Sequence, residues 1–173
     1  SFDASHNFIG SIPASFGNLN LSWTLDLSYN SISSMSGSIG KLGNISYMNF
    51  QSNLLRTLPT DIGDFGGLPS LAKLELQNNQ IATLPNSFGN LSNLGYLDIT
   101  NNRLTGFPDD FGKLSKLQTL FAQSQNGQLS RISEASFSWL SSLSTLTLQN
   151  NNLEELPESF GGLSSLVYLD ISN

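Results

Sequence analysis

The chain has 173 residues, a net charge of −6 and only 12% charged residues. That balance excludes the basic stripe with which a protein neutralises nucleic-acid phosphates and the cationic patch that docks on an anionic membrane. No apolar run approaches the roughly 20 residues of a membrane span, and the absence of cysteine excludes disulfides, thiolate nucleophiles and cysteine–zinc sites.

In chain order, the first element is a partial copy of a unit that then recurs, carried by Phe2, Ala4, Asn7 and Ile9. The full unit is plainest at Leu71-Ala72-Lys73-Leu74-Glu75-Leu76-Gln77-Asn78-Asn79-Gln80-Ile81 and at Leu94-Gly95-Tyr96-Leu97-Asp98-Ile99-Thr100-Asn101-Asn102-Arg103-Leu104, both LxxLxLxxNxL. The same frame starts at Ser22, Ile45, Leu117, Leu143 and Leu166, giving a period of 23 residues with two steps of 26. The longer steps fall around Asp64-Phe65-Gly66-Gly67 and Gln125-Asn126-Gly127-Gln128. Self-similarity at such a period predicts a solenoid of stacked units over residues 1–173, a single domain.

Each position in the unit has a physical task. Within LxxLxL the apolar residues alternate as in a short strand, so two of them face one side. The column Asn7, Asn30, Asn53, Asn79, Asn102 and Asn151 follows the strand. The second half of the unit reads Leu84-Pro85-Asn86-Ser87-Phe88-Gly89-Asn90-Leu91, with relatives at Phe107–Leu114 and Leu156–Leu163. Proline suits the first turn of a short helix. Phe16, Ile62, Phe88, Phe111 and Phe160 are expected to form a spine, with the following glycine ending the turn. The fifth full unit departs from the pattern: Ala122 replaces a large apolar residue, and Gln125 or Asn126 stands in the asparagine column. A local irregularity with a bulged loop is expected there.

Over its whole length the chain resembles the leucine-rich-repeat superfamily. The resemblance implies an α/β horseshoe or solenoid, a right-handed superhelix. A concave parallel β-sheet lines it, with short helical or 3-10 turns on the convex side. It also implies that the asparagine column forms a ladder of side-chain hydrogen bonds to neighbouring backbone, and that the bare concave face is the binding surface. No capping unit is read at either end. The expectation is a stretch of a longer protein, or ends that stack end to end on another copy.

The frame assigns three columns to the concave face. One runs Ser1, Thr24, Tyr47, Lys73, Tyr96, Thr119, Thr145, Tyr168; the next Asp3, Asp26, Asn49, Glu75, Asp98, Phe121, Thr147, Asp170; the third Ser5, Ser28, Gln51, Gln77, Thr100, Gln123, Gln149, Ser172. All four tyrosines lie on or beside it, with Tyr29 at a strand end, and tyrosine is favoured at interfaces for its apolar body and polar tip. The candidate partner-binding residues are Tyr29, Tyr47, Lys73, Glu75, Tyr96, Asp98, Phe121, Tyr168 and Asp170. Lys73 is the one cation in these columns, so a protein or peptide partner bearing cationic side chains is the implied complement. The aspartates also have a local reading: LDLS and LDIS are family consensus, so Asp26, Asp98 and Asp170 can serve the strand end alone.

Chemistry finds little support. His6 is the single histidine; a nucleophile site would need it beside a serine and a carboxylate, but it lies in the partial unit, where a solvated strand-end residue is expected; a histidine metal site lacks partners. Asp64-Phe65-Gly66 and Asp110-Phe111-Gly112 match a kinase tripeptide but lack its companion motifs. No catalytic residue, cofactor or metal is expected. Three sequons, Asn20-Leu21-Ser22, Asn44-Ile45-Ser46 and Asn90-Leu91-Ser92, are candidate sites for N-linked glycans. The leading expectation is an extracellular or cell-surface recognition module. Asn7-Phe8-Ile9-Gly10-Ser11-Ile12-Pro13-Ala14-Ser15-Phe16-Gly17-Asn18-Leu19 is similar to plant receptor-kinase ectodomain repeats. The alternatives are a structural component of an extracellular matrix or filament, and a cytoplasmic scaffold, since the LPxxFGxL units resemble Ras-suppressor-type repeats.

Overall fold

The computed structural model describes every residue except Phe65 and Gly67. The first of the two long steps, and the first of the two kinase-like tripeptides, therefore lie partly outside the described residues. One parallel sheet of eight strands runs through the molecule. It takes in β1 (Phe2–Asp3), β3 (Trp23–Asp26), β5 (Ile45–Asn49), β6 (Lys73–Glu75), β7 (Tyr96–Asp98), β8 (Thr119–Phe121), β9 (Thr145–Thr147) and β10 (Tyr168–Asp170), in that spatial order. The short strands β2 (Ser11–Ile12) and β4 (Ser34–Met35) pair separately. Strands this short are each one rung of a solenoid, stabilised by neighbours rather than by their own length.

The sheet register pairs the columns read from the frame. Tyr47, Lys73, Tyr96, Thr119, Thr145 and Tyr168 stand opposite one another in turn, as do Asn49, Glu75, Asp98, Phe121, Thr147 and Asp170. Between these columns Leu25, Met48, Leu74, Leu97, Leu120 and Leu146 point inward and are buried. Each such leucine contributes about 1.5–3 kcal/mol by leaving water.

Outside the sheet, among the described residues, five 3-10 turns follow the strands: Ala14–Asn18, Gly37–Lys41, Asn86–Asn90, Asp109–Lys113 and Glu158–Gly162. In four of them a proline sits one residue before the turn (Pro13, Pro85, Pro108, Pro157), and Ser36 holds that place in the other. Pro85 has φ −72° and ψ 156°, outside the helical region, and its carbonyl accepts the Phe88 N–H at 3.0 Å. Proline thus caps the turn rather than occupying its first residue. In the fifth full unit Ser133 takes that place and heads a short helix, α1 (Glu134–Phe137). The aromatic spine runs Phe88, Phe111, Phe137 and Phe160, with successive ring centroids 6.2, 6.0 and 5.3 Å apart. Phe137 was not anticipated, because the irregular unit hides its place; Phe107 packs against both Phe111 and Phe137.

The glycine after the spine residue does not end the turn. It lies inside it with a negative φ, and a Cβ on Gly89 would stand 2.0 Å from the Asp110 carbonyl oxygen of the next turn. Close approach of stacked turns is the reason for glycine here.

The asparagine ladder is complete. Asn102 is fully buried; its amide donates to the carbonyls of Leu76 and Ile99 at 3.0 Å, and its oxygen accepts the Ile81 N–H at 2.9 Å. Gln125 fills the same rung in the irregular unit, donating to Ile99 at 2.9 Å and accepting from Leu104 N–H at 3.0 Å. The sheet keeps its register on both sides of β8. The chain makes an extra turn directly after the rung, where Asn126 and Gly127 have φ of 51° and 69°. The residue before each rung is also left-handed: His6, Tyr29, Ser52, Asn78, Asn101, Ser124 and Asn150 have φ between 53° and 59°.

The first full unit corrects the frame at one place. Ser22 occupies the leading apolar position, but Leu21 is the residue packed on the core. The register slips between Trp23 and Thr24, where Trp23 faces Ile45. Trp23 is left with φ 77° and is 73% exposed.

Candidate functional site

The concave side chains meet most closely on β5 to β8. Lys73 and Glu75 are two apart on one strand and so share a face; their ion pair is 2.9 Å long. The Lys73 ammonium also lies 4.9 Å from the Tyr47 ring centroid and 4.8 Å from that of Tyr96, clamped between the two. Cation–π contacts of this kind contribute about 0.5–2 kcal/mol each, depending on desolvation. The Tyr47 hydroxyl donates to the second carboxylate oxygen of Glu75.

Burial, the Glu75 hydrogen bond and the surrounding acidic charge hold the Tyr47 phenol far above the ordinary tyrosine range. Burial, followed by the Asp98 and Glu75 charges, raises Tyr96 as well. Both phenols are therefore neutral donors at any physiological pH. Phe121 packs edge-on against Tyr96, with centroids 5.7 Å apart and planes at 89°. Phe121 is half-buried rather than fully solvent-facing.

The aspartates perform the local task. Asp26 Oδ1 accepts the Ser28 N–H at 2.9 Å and the Ser28 hydroxyl at 2.7 Å. Asp98 Oδ1 accepts the Thr100 N–H at 2.9 Å. Asp170 accepts from Ser172 in the same way, through hydroxyl and backbone, which lowers its pKa. Asn49 does the job in β5, accepting from Gln51 N–H at 3.0 Å while its amide donates to Asp26 at 3.1 Å. Each carboxylate retains lone pairs for a partner, so the local role and a recognition role are compatible.

Tyr47, Lys73, Glu75, Tyr96, Asp98 and Phe121 thus form one cluster on neighbouring strands. Tyr168 and Asp170 lie on β10, with β9 between them and the cluster, roughly 10 Å from β8 at the usual strand spacing. Tyr29 stands apart at the strand exit, its ring stacked on His6 at 4.4 Å and its hydroxyl accepting from Gln51 at 3.1 Å. The column Tyr47, Lys73, Tyr96 carries the clamp, a contact across three strands that a strand's own side-chain period does not reveal. The exposed Trp23 was missed because the frame placed Leu21 outside the core.

Asn20, Asn44 and Asn90 are all exposed. The Asn44 carbonyl accepts the Trp23 N–H at 3.0 Å, and Ser46 of that sequon donates its hydroxyl to the Trp23 carbonyl at 3.0 Å. Asn90 closes a 3-10 turn rather than lying in the loop beyond. A groove of about 570 Å³ opens away from the sheet, between Phe107, Arg131, Glu134, Glu155 and Glu158. Three of its charged side chains are engaged within the fold: Arg131 pairs with Glu155 at 2.8 Å, and Glu134 accepts the backbone N–H groups of Glu158 and Ser159 at 2.8 Å each. The concave cluster is the better recognition candidate because it offers aromatic surface beside charge. Among the described residues no helix is long and apolar enough to cross a membrane.

A model of leucine-rich repeats matches residues 24–81, 69–126 and 124–173. No curated protein sequence matches. Among solved structures, a leucine-rich-repeat protein of Leptospira interrogans is similar at 25% identity and a TM-score of 0.59, over 97% of this chain and 53% of that one. An internalin (InlF) of Listeria monocytogenes is similar at 20% identity and a TM-score of 0.63, over 92% and 51%. Internalin C2 of the same organism is similar at 22% and 0.64, over 98% and 79%. The chain spans about half the length of the first two.

Proposed function

The chain belongs to the leucine-rich-repeat family, whose domains are generally protein-binding modules of a non-catalytic fold, and on that premise we propose that it is an extracellular or cell-surface recognition module that takes a protein or peptide on its concave face. The observation that carries this reading is the cluster of Tyr47, Lys73, Glu75, Tyr96 and Phe121. It lies on a sheet face whose hydrogen bonds are already made within the sheet. Aromatic anchors held rigid by their neighbours lose little entropy on binding and dominate interface energetics. The Ser- and Asn-rich surface and three exposed sequon asparagines support the extracellular setting.

Two measurements test it. Tyr96→Ala and Tyr47→Ala should each weaken binding of a selected peptide or protein partner tenfold or more. Lys113→Ala on a convex turn should leave that binding unchanged. Binding that is lost only on convex substitution refutes the concave reading. Peptide mass spectrometry of protein from its native source tests the setting. Hexose-bearing mass at Asn20, Asn44 or Asn90 is expected, and bare asparagine at all three moves the protein to a cytoplasmic scaffold.

A further inference from the structure

The concave face shows in its own contacts how it holds a cation. Lys73 has a carboxylate partner in Glu75 and aromatic rings in Tyr47 and Tyr96. On the next two strands a carboxylate and a ring again stand side by side, Asp98 on β7 and Phe121 on β8, next to Tyr96, whose ring also contacts Lys73. Thr119, a short uncharged side chain, stands in the lysine's column on β8. Across the concave positions of β7 to β10 there are two carboxylates, Asp98 and Asp170, and no lysine or arginine.

We propose that Asp98, Phe121 and Tyr96 form a subsite for an arginine side chain of the protein or peptide partner. The inference rests on the concave face being the recognition surface and adds what that surface reads. A guanidinium is planar, always charged, stacks on aromatic faces and pairs with carboxylates through its fork of donors. Asp98 commits only one oxygen to the scaffold, at Thr100 N–H, and so offers the other to such a fork. Phe121 is its partner in the sheet register, about 4.8 Å away along the hydrogen-bonding direction, which places an aromatic ring beside the carboxylate.

The scaffold itself gives no reason for Phe121. The residues in that column of the sheet are otherwise Asp3, Asp26, Asn49, Glu75, Asp98, Thr147 and Asp170, all polar. Asp98 and Asn49 there accept the N–H two residues on, which a phenylalanine cannot do. A half-buried aromatic ring in a polar column is surface that a partner removes from water.

The probe is acetyl-Gly-Arg-Gly-amide, titrated into the 15N-labelled chain and followed by amide chemical shifts, with the citrulline tripeptide as its uncharged counterpart. Saturable shifts centred on Asp98, Thr119 and Phe121, absent with citrulline, are expected. Asp98→Asn should abolish them while the spectrum stays folded, because Asn49 already fills this role in β5. Phe121→Leu should weaken binding severalfold and keep the fold. Equal shifts with citrulline, shifts scattered over convex carboxylates such as Asp109 and Glu158, or shifts that survive Asp98→Asn overturn the subsite. If these amides do not respond and a partner still loses affinity on Tyr96→Ala, the subsite fails and the recognition reading stands. If the partner ignores every concave substitution, that reading fails with it.

Discussion

Restoring consensus at Gln125 should destabilise the protein. Every other rung from Asn30 to Asn151 is asparagine, so Gln125→Asn looks like a repair, and consensus repairs commonly add about 0.5–2 kcal/mol. The geometry argues the reverse. The Gln125 amide makes the contacts of an Asn102-type rung with one methylene more, so its backbone stands further back. The neighbouring rung records the shift: the Asn151 oxygen accepts from the Gln125 backbone N–H at 2.9 Å, whereas the Asn102 oxygen accepts from Ile81, two residues beyond its rung. Asparagine would fall short by about 1.5 Å, one carbon–carbon bond. The 3.0 Å contact to Leu104 N–H would then open beyond hydrogen-bonding distance. Leu104 is fully buried, and an orphaned buried donor costs about 1–3 kcal/mol. The Ile99 carbonyl keeps the Asn102 amide as a donor, so the expected loss is that of the orphaned Leu104 N–H, about 1–3 kcal/mol. At about 2–4 °C per kcal/mol for a chain of this size, Tm should fall by about 2–12 °C. Denaturant and thermal unfolding of both forms measure it. A variant as stable as the parent, or more so, would refute the stand-off argument.

Three further outcomes follow from the same geometry. Asn102→Ala orphans the buried Ile81 N–H and should cost about 1–3 kcal/mol in denaturant unfolding. Asn93→Ala removes exposed contacts to Pro69 and Lys116 and should cost under about 1 kcal/mol. Gly89→Ala drives a Cβ against the Asp110 carbonyl and should cost about 1–3 kcal/mol. Gly106→Ala, where the nearest atom is 3.8 Å away, should be within about 0.5 kcal/mol of the parent. The Glu134 carboxylate is held below its ordinary pKa by the N–H groups of Ser159 and Glu158. Its contribution is therefore present above the unfolded-state pKa, near 4.5, and is lost as pH falls through the lower folded value. The Tm difference between the parent and Glu134→Gln should shrink towards zero in acid, and a difference constant from pH 7 to pH 2 would contradict the assignment.

The sheet columns were legible because a strand has a side-chain period of two and the unit recurs in register, so one frame places every concave residue. The rungs were legible for the same reason. What escaped were places where a residue shifts by one position or one methylene. Leu21 sits one residue ahead of its frame, and the backbone absorbs the offset by slipping register and turning Trp23 outward. Gln125 keeps its rung by lengthening its side chain. The glycine of the turn was assigned to chain reversal because its close contact is with the next unit, about twenty residues away. Sequence pattern reads what one unit requires of itself and reads poorly what two units require of each other.

That distinction also locates the functional information. Positions that every unit shares are explained by the stack: the inward leucines, the rungs and the spine would be needed whatever the protein bound. A recognition surface must instead be sought where units differ while the backbone does not. The register from β5 to β9 is uninterrupted, yet within it one column changes from tyrosine to lysine to tyrosine to threonine, and the next from glutamate to aspartate to phenylalanine. These changes leave the sheet unaltered, so the backbone register does not dictate them. The Lys73 clamp and the Phe121 contact with Tyr96 show that the differing residues are ordered against one another before any partner arrives. A rigid, uneven patch on an even scaffold has little entropy left to lose on binding, which is why selectivity for a partner is best sought at Tyr96, Asp98 and Phe121.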